Sequence, residues 1–325
     1  MSALFFWFLI SLNLNQFILF KIENKEDFTS SWRFEDDKIQ TFEGHTEMVT
    51  AVAFSPNGKN ILTGSWDKTA KLWDLEGNEI ATFKGHNNLL FSVAFSPNGK
   101  NILTGGVDKT ARLWDLKGNE LQVFTGHSSV IFSVVFSSDG SKILTGGGDR
   151  TARLWDLKGN ELQKFTVHNL SIYSVAFSPD GKNVLTACSD NTAKLWDLEG
   201  NELQSFKGHN DLVYSVDFSP NGSYVVTSSF DSTAKLWDLK GNLLQTFKGH
   251  EMKIYSVAFS PNGKHILTGS MDKTAKLWDL KGNEPQTFKG HTSFVYSVTF
   301  SPDGSKILTG SGDNTAILWS VDSDK

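Results

Sequence analysis

From Gly44 to Phe83 the chain alternates short β-branched and apolar runs with clusters of turn residues. Residues 49–54, 60–63, 69–74 and 79–83 predict four strands. Between them stand Ser55-Pro56-Asn57-Gly58, Gly64-Ser65-Trp66-Asp67-Lys68 and Glu76-Gly77-Asn78, all rich in turn formers. The Asn57-Gly58 pair predicts the two positive-φ positions of a type I′ hairpin. The unit therefore reads as a four-stranded antiparallel meander, which is too small to bury both of its faces alone. It does not stand alone. Trp73 and Trp114 are 41 residues apart, and the same step carries on through Trp155, Trp196, Trp237, Trp278 and Trp319 without an insertion or deletion. A fixed period of this length marks an array of identical units that bury one another.

The first strand contains a phase shift. Val49 and Val52 are three apart while Val52 and Phe54 are two apart, and Val213, Val216 and Phe218 repeat the step. A strand absorbs an odd step through a β-bulge, so the residue after the first apolar position is re-aimed, away from the packed face.

Gly-His, Ser-Pro-Asn/Asp-Gly, the Asp-bearing second turn and Leu-Trp-Asp at this spacing resemble the WD40 repeat. The resemblance covers residues from about 38 to 320, and it implies an all-β, seven-bladed propeller of four-stranded antiparallel blades. Departures are few: Val167 stands before His168, Ser138 replaces Pro and Ser320 replaces Asp. The array opens with a fourth-strand sequence, Lys38-Ile39-Gln40-Thr41-Phe42, and stops just after a third strand at Trp319. The N-terminal strand is thus expected to complete the last blade, because a ring lacking it would leave two weak edges. The domain reading is an apolar segment and linker over 1–37 and the propeller over 38–325.

Composition narrows the functional classes. A net charge of −5 without basic runs disfavours nucleic acid and anionic membrane as partners. Cys188 is the one cysteine, so no intrachain disulfide exists, which suits a reducing compartment. The sequons at Asn169 and Asn221 read as products of a repeat rich in Asn, Gly and Ser. Residues 4–20 are mostly apolar and almost reach the ~20 residues needed to span a bilayer, yet they include Asn13, Asn15 and Gln16. They also lack a basic start and a small-residue cleavage site. Three readings stay open for them: an anchor or atypical signal, the remnant of an upstream domain or a misplaced start, and a segment packed on the array. The expected location is cytoplasmic unless this stretch anchors or exports the chain.

Two sets of residues carry candidate chemistry. His45, Thr63, Asp67 and Trp73, repeated as His250, Thr268, Asp272 and Trp278, suggest a catalytic triad at first sight. Recurrence in every copy argues against it. The resemblance implies a structural tetrad in which Asp accepts from His, and His and the indole meet at the Thr hydroxyl. No phosphate loop, metal site or cofactor motif is present in the sequence, and neighbouring copies hold their histidines too far apart to share an ion.

The second set is found where the copies differ. The bulge position holds Thr50, Phe91, Phe132, Tyr173, Tyr214, Tyr255 and Tyr296. Two residues earlier stand Met48, Leu89, Val130, Ser171, Leu212, Lys253 and Phe294, and before the turn Asp stand Trp66, Val107, Gly148, Ser189, Phe230, Met271 and Gly312. The aromatics could fill wedges between blades. Those wedges are already furnished by Val52, Phe54, Leu62 and Leu72, however, so an exposed ring around the channel mouth is expected. The partner-binding set is accordingly Met48, Trp66, Leu89, Phe91, Phe132, Tyr173, Leu212, Tyr214, Phe230, Tyr255, Met271, Phe294 and Tyr296. The functional reading is a non-catalytic, monomeric scaffold that binds a protein or peptide. The alternative is the sensor or regulatory domain of a larger NTPase- or kinase-type protein.

Overall fold

The structure, a computed structural model, describes residues 37–166, 170–284 and 286–321. The apolar stretch 4–20, with its three readings, and the variant Val167-His168-Asn169 of the fourth copy lie outside them. The described residues form 28 strands in seven four-stranded antiparallel sheets, and no helix.

The first blade consists of Val49–Phe54, Asn60–Ser65, Thr69–Asp74 and Glu79–Lys84, in that order from the inside outward. Val49 pairs with Ser65 and Ala51 with Gly64, which leaves Thr50 as the extra residue of a bulge. The same shift occurs at Phe91, Phe132, Tyr173, Tyr214, Tyr255 and Tyr296, where the apolar phase slip predicts it.

The first turn departs from expectation. Gly58 alone is left-handed, at φ 67°, and Asn57 is not, so the hairpin is not type I′. The amide of Gly58 donates to Ser55 O at 2.8 Å and that of Ser55 to Asn60 O at 2.9 Å, a type I turn closed by a glycine bulge. The cause lies in the flanking residues. Pro56 presets a negative φ at the first corner, and Asn57 Oδ1 accepts both the Ser55 hydroxyl at 2.7 Å and the Lys59 amide at 3.0 Å.

The core lies between sheets. Leu62, Ala70, Leu72 and Phe83 of the first blade bury against Leu90, Val93, Ile102 and Trp114 of the second. Each wedge is sealed at its rim by a ring pair across blades, such as Phe83 and Trp114 at 6.0 Å. Inner strands pack on inner strands all the way round, the last on the first. Lys38–Phe42 supplies the outer strand of the last blade, with Gln40 opposite Leu318 and Phe42 opposite Ala316. The ring is thus a seven-bladed propeller closed by its N-terminal strand, as the sequence predicts. Because every blade is an up-and-down meander, the second turns and the loops between blades share one face, here the upper one.

Candidate functional site

The three variable positions of each blade meet on the upper face. In blade one the amide of Trp66 donates to Met48 O at 3.0 Å. Equivalent bonds join Val107 to Leu89, Phe230 to Leu212, Met271 to Lys253 and Gly312 to Phe294. A loop residue and a turn residue are therefore pinned side by side.

The bulge residues form a collar. Ring centroids follow one another at 5.2 Å from Phe91 to Phe132, 4.8 Å to Tyr173, 5.0 Å to Tyr214, 5.2 Å to Tyr255 and 4.8 Å to Tyr296. Blade one has only Thr50 at this position, and the gap is filled from the turn. Trp66 lies 5.9 Å from Phe91 and 6.5 Å from Tyr296, so seven aromatic rings form a closed circle. All seven are half-buried. Small residues make room for some of them. A Cβ on Gly312 would meet the Tyr296 ring at 3.3 Å and Ser293 Oγ at 2.8 Å.

Phe230 and Phe294 form a second tier. Phe230 stacks on Tyr214 at 5.3 Å and meets Tyr255 edge-on at 5.2 Å, while Phe294 stands 6.2 Å from Tyr296. Met48, Leu89, Leu212 and Met271 stay on the loops and turns outside the circle, half-buried. Burial pushes the hydroxyls of Tyr173, Tyr214, Tyr255 and Tyr296 above the ordinary phenol range, so they remain neutral hydrogen-bond donors at physiological pH.

Beneath the collar lies a cavity of about 140 Å³, lined by Ser92, Ser133, Ser174, Ser215 and Ser297 with Thr50. Sequence reasoning passed over these serines. Each follows the bulge residue, and each accepts a backbone amide from the next blade: Val134 on Ser92 at 3.0 Å, Val175 on Ser133 at 3.2 Å and Val52 on Ser297 at 3.2 Å. Val216, Val257 and Val298 bind Ser174, Ser215 and Ser256 in the same way. Blade one has Ala51 here. Its link to blade two is made instead by Thr50 Oγ1, which donates to Leu90 O at 2.8 Å. The hydroxyl has moved one residue earlier, to the place of the missing aromatic. The signal was available in the sequence, since Ala51 and Thr50 are the only exceptions at their positions and are adjacent.

Asp217 is a further residue with no counterpart. The equivalent positions hold Ala53, Ala94, Val135, Ala176, Ala258 and Thr299. Its carboxylate accepts the amide of Phe218 at 2.9 Å and that of Phe259, in blade six, at 2.8 Å. Burial raises its pKa to about 6 despite these bonds.

The tetrad residues are in contact through one hydroxyl. Thr63 Oγ1 accepts the Trp73 indole N–H at 2.9 Å and lies 2.7 Å from His45 Nε2, while His45 Nδ1 stands 2.7 Å from Asp67. The wiring follows: with Nδ1–H given to the carboxylate, Nε2 accepts the threonine proton. Burial pushes Asp67 up, but bonds from His45 and Thr69 outweigh it and hold the group at about 2. His250, Thr268, Asp272 and Trp278 repeat the geometry at 2.6, 2.7 and 2.9 Å. The Thr63 hydroxyl is held between His45 and Trp73 and the residue is 1% exposed, so the set presents no nucleophile to solvent. No cluster suited to a metal ion occurs among the described residues, and no helix there is long and apolar enough to cross a membrane.

The family model described as WD domain, G-beta repeat matches residues 36–74, 77–115, 118–156, 159–197, 200–238, 241–279 and 282–320. No curated protein matches the chain. Each matched segment runs from the outer strand of one blade through the third strand of the next, the same offset that closes the ring. With seven such segments covering nearly the whole propeller and interlocking its blades, the chain belongs to the WD domain, G-beta repeat family.

Proposed function

We propose that this propeller is a non-catalytic scaffold that docks a short peptide or protein surface on its upper face, held by apolar anchors. WD40 propellers generally serve as protein-interaction scaffolds and are typically non-catalytic. The observation that carries the finer reading is the closed circle of seven half-buried aromatic rings, thickened by Phe230 and Phe294. Such a surface combines apolar area with hydroxyl handles, the composition of binding hot spots. Packing alone does not call for it. The wedges between blades are already filled by aliphatic side chains and the repeat tryptophans.

The test replaces Tyr214, Phe230 and Tyr255 together with Ala. Binding of interacting proteins or peptides is expected to fall by roughly ten-fold or more, as for the loss of a hot-spot cluster. The strand circular dichroism should stay unchanged. Equal capture by the variant and the parent chain would sink the proposal.

A further inference from the structure

Resting on the upper face as the docking surface, we infer that its partner places an acidic side chain beside the apolar anchor, and that the Lys253 ammonium receives it. Lys253 lies in the loop entering blade six, with its carbonyl pinned by the Met271 amide at 2.9 Å. Its Nζ stands 4.4 Å from the centroid of Phe230. That ring in turn stacks on Tyr214, so the cation is drawn in to the collar rather than extended into bulk water.

Three observations set this lysine apart. The equivalent loop positions hold Met48, Leu89, Val130, Ser171, Leu212 and Phe294, none of them charged. Lys71, Arg112, Arg153, Lys194 and Lys276, on the third strands, each pair with a glutamate within 3 Å. Lys253 is exposed and has no ion pair among the described residues. The nearby carboxylates do not neutralise it. Asp272 is bound by His250 and Thr274, Asp211 caps the Leu212 amide at 2.7 Å, and Glu251 is an exposed loop residue with no ion pair to Lys253. Lys273, exposed at the apex of the adjoining turn with φ 73°, adds a second positive charge beside Met271.

The ring face holds the ammonium from below and leaves its outer side free. A carboxylate arriving there gains a partner whose position is already fixed, while a cationic group would meet like charge and have to displace Lys253 from Phe230. The pair lies near the surface, so its contribution is selectivity more than affinity. The collar supplies the apolar area, and Lys253 decides which apolar segments are accepted.

The test pans a phage-displayed random dodecapeptide library on the full chain and measures Kd for synthetic copies of the recovered peptides. Asp or Glu is expected close to a large apolar residue in those peptides. Lys253→Glu should weaken them by roughly ten-fold, and Lys253→Met by a smaller factor, with thermal unfolding unchanged. Replacing the peptide's acidic residue with its amide should cost affinity for the parent chain but none for Lys253→Met. Peptides without acidic enrichment, or Kd values within about two-fold for Lys253→Glu, overturn the assignment. If those peptides still fail to bind the Tyr214, Phe230 and Tyr255 triple variant, the docking face stands and only the role of Lys253 falls. Binding that survives the triple variant, or a selection without binders, overturns both.

Discussion

Single residues carry the departures that make seven near-identical blades distinguishable. Blade one exchanges its aromatic for Thr50 and its serine for Ala51, and both losses are made good nearby, by Trp66 for the ring and by the Thr50 hydroxyl for the bond to blade two. Asp217 has no such compensation, and its pKa near 6 against the usual 3.8 has a defined consequence. A folded pKa above the unfolded one means that the native state binds a proton which the unfolded chain has released. Stability from this group is therefore complete below about pH 3.8 and is lost as pH rises to 6 and beyond. We predict that chemical unfolding at pH 4.5 and pH 7 shows the parent chain losing on the order of 1–3 kcal/mol across that interval through this residue. In Asp217→Ala, which installs the residue of blades one, two, four and six, that slope should flatten. An unchanged pH profile would refute the assignment.

At the scale of the element, the blade is held by one polar chain between strands and loop. The threonine is its centre, since it meets both the histidine and the indole. Thr268→Val keeps the shape, removes the hydroxyl and leaves buried partners without a bond. The expected cost is about 2–3 kcal/mol, read as a lower midpoint in denaturant unfolding. Neutral behaviour would mean that the tetrad in blade six is dispensable. Strand order, the bulge and the meander were legible from spacing, because a period of two tolerates an odd step in only one way. The hairpin type was not. Asn-Gly is a strong local signal for a type I′ turn, but Pro56 and the Asn57 side chain, which binds Ser55 and Lys59, override it.

For the whole molecule, the decisive contact joins the first and last described strands. Lys38–Phe42 pairs along Ala316–Ser320, Asp37 O accepts the Ser320 amide at 2.7 Å, and Phe42 lies against Trp73 of blade one at 6.0 Å. Removal of residues 1–43 would leave the edge of Ala316–Ser320 unpaired and uncover a wedge. It is expected to lower the thermal midpoint of the entire ring rather than of one blade, since each blade is buried only by its neighbours. Scanning calorimetry that returns the parent transition would show that closure is not needed. The collar is a property of this same scale, as no single blade contains more than a fraction of it.

The sequence by itself determined the blade, its number, its bulge and the residue types at each variable position, because these depend on period and local chemistry that recur every 41 residues. Only the tertiary structure decided which of those residues meet. Trp66 closes a circle with Phe91 and Tyr296, one 25 residues along the chain and the other in the last blade, far along the chain but next to blade one in the ring. Ser297 bonds to Val52, and Lys253 reaches back to Phe230 in the preceding blade. Such contacts join neighbouring blades across a closed ring, and the geometry of closure sets them, not the order of residues within a repeat.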